Sequence, residues 1–417
     1  MYGLIGKKLS HSYSKIIHEK LNKNIKYNLY ETRSLEDFFN NESVLGVNIT
    51  IPYKNEVISF CDELDSIAKH TSSVNTLICS KGFTKGYNTD YFGLEFSLKY
   101  NNISLNNKVV MIIGNGSTSR TIKYLCEKND AKKIYIVARN PKSNEYNIID
   151  VNKLKDVEII FNATPVGMFP DNFANIDINL SLFSNLEFVM DLVYNPLRSK
   201  LLLDAEKEGI KGTNGLLMLV AQATKAAELF YNMKYSDKTI EDLYKETLLD
   251  SLNLVFIGMP MSGKSFTARE ISKVYGKKLI DIDKTIEVNQ NNSIENIFKN
   301  DGEKRFRTLE FESVDNLYKS HSLAVSCGGG IVLNNENILK LKQNGLVIFI
   351  DVPLRVLLNR QPRNRPLITN GNALKLMYDN RYDLYVNSAD VIIIKEEYNF
   401  NEIREKIEVS INEYINS

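Results

Sequence analysis

Three stretches of this sequence combine residue types at spacings that chemistry uses. The run Gly258, Met259, Pro260, Met261, Ser262, Gly263, Lys264, Ser265 fits G-x-x-x-x-G-K-[ST] between an apolar strand and a helical stretch. Glycines let backbone N–H groups wrap a phosphate at a helix start. Lys264 can neutralise β/γ oxygens and the Ser265 hydroxyl can ligate Mg²⁺, a nucleotide-phosphate site that serves motors, GTPases and small-molecule kinases alike. Asp281 and Asp283 stand at i and i+2 after a second apolar run and are read as two carboxylates on one side of a strand end, where substrates bind. One can hold magnesium through water while the other accepts a hydroxyl proton. The run Gly114, Asn115, Gly116, Ser117, Thr118, Ser119 is G-x-G-x-x-S, again strand then helix, and suits a dinucleotide pyrophosphate. About 25 residues on, an NAD site usually carries an acid for the ribose hydroxyls; here stands Arg139, followed by Asn140 and Lys142, which favours the 2′-phosphate of NADP(H).

The elements that must position these groups are strand-then-helix units, so the expected class is α/β. Residues 45–52 lie in a first alternating region, 108–120 open a second after the polar hinge 101–107, and 252–265 open a third. Helical periodicity fills 216–230 and 239–249. Beyond 251 the strand candidates are 252–257, 277–282, 322–327, 346–352 and 390–394, a minimal doubly wound sheet. A length of 417 residues predicts several domains, and 43% hydrophobic with 25% charged residues gives each a core. A net charge of +1 leaves no basic stripe for nucleic acid or an anionic membrane. Apolar runs fall far short of the ~18 residues of a membrane helix, and the start MYGLIGKKLSHS lacks a charged-then-apolar leader. The four cysteines are dispersed without C-x-x-C, and the four histidines never fall at ligand spacing. No disulfide framework, no structural zinc and a cytoplasmic location are expected.

Downstream of Gly258, the ordered motifs resemble shikimate kinases. They are D-x-D at Asp281 and Asp283, G-E-x-x-F-R-x-x-E from Gly302 to Glu310, the glycines Gly328, Gly329 and Gly330, R-P-L at Arg365, and R-x-x-x-Y from Arg381 to Tyr385. The resemblance implies that Asp283 binds shikimate hydroxyls and acts as base or orienter, while Asp281 serves the magnesium. It further implies that Arg307 and Arg381 clamp the carboxylate, that the glycines let backbone approach the ring, and that Arg365 descends from a lid onto the transferring phosphate. In isolation Asp281 is also compatible with a helix N-cap or a surface carboxylate, the glycines with a tight turn, and Arg360, Arg363 and Arg365 with a solvated charge run. The lid, between 354 and 369, is short.

Residues 1–250 resemble shikimate dehydrogenases from end to end. The carriers are Ser12 and Ser14 in LSHSYS, Asn48, Thr50 and Lys54 in GVNITIPYK, Asn75 in SVNTL, Asn88 and Asp90 in GYNTD, then NATPVGM at 162–168, DLVYNPL at 191–197 and Met218 to Gln222. Hydride reduction of a ring ketone leaves an alkoxide that needs a placed proton donor. The resemblance gives that part to Lys54 paired with Asp90, the substrate carboxylate to Ser12, Ser14 and Tyr194, and the ring hydroxyls to Asn75, Thr50 and Gln222. Ser117 stands where the family has a second glycine. Leu217 replaces another, with a side chain expected to crowd the nicotinamide.

The expectation is therefore a fusion. Residues 1–250 form a two-lobed shikimate dehydrogenase-like unit, with a substrate lobe (1–100 plus 215–250) and a Rossmann NADP-binding lobe (101–214). Residues 251–417 form a P-loop shikimate kinase-like unit with a five-stranded parallel sheet. Together they would reduce 3-dehydroshikimate to shikimate with NADPH and phosphorylate shikimate with ATP. The competing readings are a silent half that binds or scaffolds, and a dehydrogenase preferring quinate or NAD. Homo-oligomerisation is left open.

Overall fold

The computed structural model describes residues 1–9, 13–41, 43–360, 371–396 and 399–416. Ser12 and Arg365 lie outside these. The chain divides into two compact units, Met1–Asn195 with Ser199–Thr247, and Pro196–Arg198 with Leu248–Ser417.

The first unit holds two six-stranded sheets. One contains β1 (Tyr2–Gly6), β2 (Tyr27–Glu31), β3 (Gly46–Ile49), β4 (Glu63–Leu64), β5 (Thr76–Ser80) and β6 (Phe83–Tyr87) in the order β2-β1-β3-β5-β6-β4. Strands β1 and β3 are parallel, and β5 reverses direction beside β3. Between β5 and β6 only Lys81 and Gly82 turn the chain. Both have positive φ, 54° and 78°, the conformation that matches hairpin twist and that glycine adopts without strain.

The other sheet contains β7 (Val109–Ile113), β8 (Lys133–Ala138), β9 (Tyr146–Asn147), β10 (Ile159–Asn162), β11 (Phe188–Asp191) and β12 (Lys211–Asn214), all parallel, in the order β12-β11-β10-β7-β8-β9. The order reverses beside β7, so a crevice opens beyond its carboxyl end, where ligands of such sheets bind. Helices cover both faces, which is why β7 reads VVMII and is buried at every residue. Two helices, Asp90–Tyr100 and Leu216–Tyr231, pack closely because Gly93 has no side chain: a Cβ there would lie 2.6 Å from the Met218 carbonyl oxygen.

The second unit is one parallel sheet of β13 (Asn253–Ile257), β14 (Lys278–Asp281), β15 (Leu323–Ser326), β16 (Gly345–Asp351) and β17 (Val391–Ile394), ordered β14-β15-β13-β16-β17. The α/β class and five-stranded sheet match expectation, and one detail does not. Strand β14 stops at Asp281, and Asp283 lies in the first turn of the helix Ile282–Gln290, so the two carboxylates are not alternate residues of one strand. Asp281 itself caps that helix, accepting the Lys284 amide at 3.2 Å. The expected lid begins with a helix, Leu354–Leu358, and residues 361–370 lie outside the described ones.

Two candidate active sites

In the first unit, a turn after β3 carries Thr50 and Lys54 toward the start of the helix Asp90–Tyr100. Lys54 Nζ lies 2.6 Å from Asp90 Oδ2, and both side chains are largely buried. Asn75, immediately before β5, donates to the other oxygen, Asp90 Oδ1, at 2.9 Å and to Gln222 Oε1 at 3.3 Å. Its own oxygen accepts the Thr89 amide at 2.7 Å, fixing the carboxamide from both ends. Asn88 completes the turn, accepting the Asp90 amide and donating to Thr71 and Thr121. Sequence reading placed Asn48 in its motif without a role. It is buried, accepts the Tyr27 hydroxyl at 2.7 Å and donates to Thr76, so it supports the strand behind Asn75. Ser14 opens the helix Ser14–Leu21 and is buried, and the ring of the preceding Tyr13 lies 5.5 Å from that of Tyr194. Burial pushes the Tyr194 hydroxyl up to about 12, so it stays a neutral donor. A cation beside a carboxylate, ringed by amides and hydroxyls, can hold a polyhydroxylated ring and deliver a proton to it.

The dinucleotide loop runs from Gly114, at φ 108°, to Gly116, the N-cap of the helix Ser117–Lys128. A Cβ on Gly116 would meet nothing within 4 Å, so the approach to the helix N-terminus is open for a pyrophosphate. Ser117 and Thr118 are half-buried in its first turn and Ser119 is buried. Arg139 and Asn140 follow β8, both exposed, with Lys142 two residues beyond. Sequence reading missed Glu145, whose carboxylate accepts Asn115 Nδ2 at 2.9 Å and the Lys142 amide at 2.8 Å and so ties the two loops together. Leu217 departs from expectation. It is 1% exposed and packs among Ile17, Phe96, Val220 and Ile240, so its side chain faces the core. Gly215 is the position of close backbone approach instead, since a Cβ there would collide with the Leu192 carbonyl.

In the second unit, Gly258 leaves β13 at φ 150° and Gly263, at φ 85°, caps the helix Lys264–Val274. A Cβ on Gly258 would lie 2.8 Å from the Ile350 carbonyl oxygen. Met259, Pro260 and Ser262 are buried, and Met261 has φ 67°. Lys264 is 4% exposed and reaches back to the Met259 carbonyl at 3.4 Å. Ser265 Oγ lies 2.8 Å from Ser326 Oγ, at the end of β15.

The three glycines after β15 assemble the rest. A Cβ on Gly328 would press on Asp283 and Glu310, one on Gly329 on Pro260, and one on Gly330 on the Arg307 guanidinium. Arg381 Nη1 donates to the Gly329 carbonyl at 2.8 Å, and the Tyr385 hydroxyl to the same oxygen. Arg307 bonds Glu310 at 3.0 Å and Glu303 at 2.8 Å. Glu310, given no role by the sequence reading, is almost fully buried; burial raises its carboxyl while Arg307 opposes the rise. Two arginines, Asp283 and naked backbone converge on one spot. Arg360, left in a charge run by its sequence context, donates to the Met261 carbonyl of the phosphate loop.

Magnesium fits this donor set. One hydroxyl (Ser265) and one carboxylate (Asp281), with nucleotide phosphates and water completing the shell, is the usual protein share for Mg²⁺. Among the described residues no cluster of three His, Cys, Asp or Glu offers a metal cage.

Fold and sites thus define a two-unit enzyme architecture, a dinucleotide-binding oxidoreductase unit and a small phosphate-loop kinase unit. Residues 4–77 match the family model for the shikimate dehydrogenase substrate binding domain, and residues 260–412 that for shikimate kinase. The chain is 36% identical over 267 residues to a shikimate dehydrogenase (NADP(+)) of Clostridium perfringens, covering 59% of this chain and 97% of that protein. It is 33% identical over 263 residues to the Methanococcus vannielii enzyme of the same name, covering 56% and 92%. Among solved structures, a chorismate mutase/shikimate 5-dehydrogenase fusion protein from Clostridium acetobutylicum aligns at TM-score 0.55 and 32% identity, covering 59% of this chain and 96% of that one. Shikimate 5-dehydrogenase from Listeria monocytogenes, in complex with shikimate and NAD, aligns at 0.52 and 25%, covering 58% and 95%. The chain belongs to the shikimate dehydrogenase family and carries a shikimate kinase domain after it.

Proposed function

We propose that this chain catalyses two consecutive reactions, reduction of 3-dehydroshikimate to shikimate and phosphorylation of shikimate to shikimate 3-phosphate. The observation that supports the reading is that each unit brings near one another groups suited to its own step: Lys54, Asp90, Asn75 and Gln222 in one, Lys264, Ser265, Asp283, Arg307 and Arg381 in the other. The functional boundaries we assign are 1–250 and 251–417.

In the first unit NADPH, when bound, supplies the hydride. Lys54 gives its proton to the developing alkoxide while Asp90 fixes the ammonium. Ser12, Ser14 and Tyr194 orient the substrate carboxylate, and Thr50, Asn75 and Gln222 bond the ring hydroxyls. An analogue lacking a hydroxyl would strand a buried amide, the source of selectivity. Gly114 through Ser119 receive the pyrophosphate, and Arg139, Asn140 and Lys142 the 2′-phosphate.

In the second unit ATP with Mg²⁺, when bound, supplies the phosphoryl group. Loop residues 258–265 hold the phosphates, and Ser265 and Asp281 would hold the metal. Arg307 and Arg381 fix the shikimate carboxylate against Gly328, Gly329 and Gly330, and Asp283 orients the attacking hydroxyl and takes its proton. Arg365 is assigned to the transferring phosphate. We place the protein in the cytoplasm, in keeping with four free cysteines and with no described helix long and apolar enough to cross a membrane.

The test is a one-pot assay in which purified protein receives 3-dehydroshikimate and NADPH, then Mg-ATP. NADPH loss followed by shikimate 3-phosphate supports the reading; NADPH left unconsumed while added shikimate is phosphorylated sinks its first half.

A further inference from the structure

Lys395 follows β17 and is 2% exposed. A buried ammonium is costly unless something uses it. Its Nζ donates to the Ser262 carbonyl at 3.3 Å, inside the phosphate loop, and its backbone amide bonds the Asp351 carbonyl at 2.7 Å, which fixes the base of the side chain on the sheet. Next along the loop, Arg360 holds the Met261 carbonyl. Two cations thus grip consecutive carbonyls of one loop.

The peptide geometry gives the grip a direction. In a planar trans peptide the C=O and the following N–H point opposite ways. The Ser262 amide bonds the Met259 carbonyl within the loop. The peptide held by Lys395 is the one whose N–H belongs to Gly263, the N-cap at φ 85°. Pulling its carbonyl toward Lys395 aims that N–H away from the sheet side of the loop, to where a phosphate is bound at such a helix start.

Resting on the kinase reading above, we infer that Lys395 is a positioning residue for phosphoryl transfer: it fixes the Ser262–Gly263 peptide so that the Gly263 amide meets the nucleotide phosphates, and it sets a cation beneath them. Burial and, after it, the nearby Arg360 cation lower the Lys395 ammonium to about 8. The charged group that acts on it is Arg360, from the segment after Leu354–Leu358, which itself holds the Met261 carbonyl. Anionic nucleotide favours the charged amine, so binding above pH 8 draws in protons.

The experiment is calorimetric titration of the full chain with Mg-ADP at pH 8.5 in two buffers of different ionisation heat. Wild type is expected to take up a measurable fraction of a proton. Lys395→Met, which keeps the unbranched bulk, is expected to bind Mg-ADP about tenfold or more weakly, to show no uptake, and to leave KM for shikimate and dehydrogenase activity unchanged. Unaltered affinity, or uptake that persists in the variant, overturns the assignment of Lys395 alone. Absence of Mg-ADP binding by wild type overturns the kinase reading and this one with it. Should Lys395→Met lose the thermal transition of the second unit, the wild-type titration decides: binding without proton uptake refutes the inference.

Discussion

Lys54 Nζ and Asp90 Oδ2 stand 2.6 Å apart although 36 residues of chain separate them. The pairing holds the Lys54 side chain in place inside a largely buried pocket, beside the amides of Asn75 and Gln222. Removing the ammonium should cost what a placed general acid contributes, about 10²- to 10⁴-fold in kcat for reduction. Lys54→Met is expected to show that loss with the kinase rate intact. Asp90→Asn should lose less, because the amide oxygen can still accept from Lys54 and hold its position.

Gly330 is the tightest point of the second site, since any side chain there drives into the Arg307 guanidinium. Gly330→Ala should raise KM for shikimate by about tenfold or more while KM for ATP stays within about twofold. Equal change in both constants would mean that the glycine serves the fold and not the carboxylate clamp.

Glu310 is the buried partner of Arg307, and its removal costs the Nη1 donor of that guanidinium its acceptor while Glu303 keeps the other side paired. Glu310→Ala should destabilise the second unit by about 1–3 kcal/mol. Calorimetry of the full chain would register this as an earlier second-unit transition, with the first-unit transition unmoved.

Arg139 is exposed beside the dinucleotide loop, and Glu145 ties that loop to Lys142. Arg139→Ala should raise KM for NADPH about tenfold or more without changing KM for NADH, since only the former carries the 2′-phosphate. Glu145→Ala should do the same more weakly by loosening Lys142. A variant that binds NADPH better would show instead that the carboxylate repels the phosphate.

His18 offers a pH test of stability. It is buried, stacked 4.1 Å from the Tyr27 ring, and neither ring nitrogen has a hydrogen-bond partner in the structure. Burial pulls its imidazole from 6.5 to about 3, which the neighbouring Asn48 amide offsets only in part. The unfolded chain therefore takes up a proton below pH 6.5 that the folded chain refuses. Stability from this group is complete above pH 6.5 and lost as pH falls toward 3. Between pH 6.5 and 4.5 the loss is about 2 kcal/mol. His18→Phe keeps the stacked ring and should flatten the acid limb of first-unit thermal stability. An acid limb as steep as that of wild type would contradict the assignment.

Sheet classes, strand positions in the second unit and both glycine loops were legible in the sequence, because apolar runs ending in glycine before a helical period have few structural readings. Side-chain direction was not. The i, i+2 spacing of Asp281 and Asp283 implies one face only if the strand continues, whereas the N-cap reading open to Asp281 ends the strand there. Leu217 sits one residue from a ligand-facing motif, but a helix turns ~100° per residue, so its side chain enters the core. Glu145 and Lys395 escaped notice, and Arg360 was read only as part of a charge run, because Asn115, Met261 and Ser262, which they hold, are distant in sequence and leave no spacing to read.

The central claim, that one chain holds two independent catalytic sets, is tested most directly by assaying Lys54→Ala and Lys264→Ala side by side for 3-dehydroshikimate reduction and for shikimate phosphorylation. The expected result is a crossed pattern: the first variant phosphorylates but does not reduce, and the second reduces but does not phosphorylate. Loss of both activities in either variant, or survival of reduction in Lys54→Ala, would contradict it.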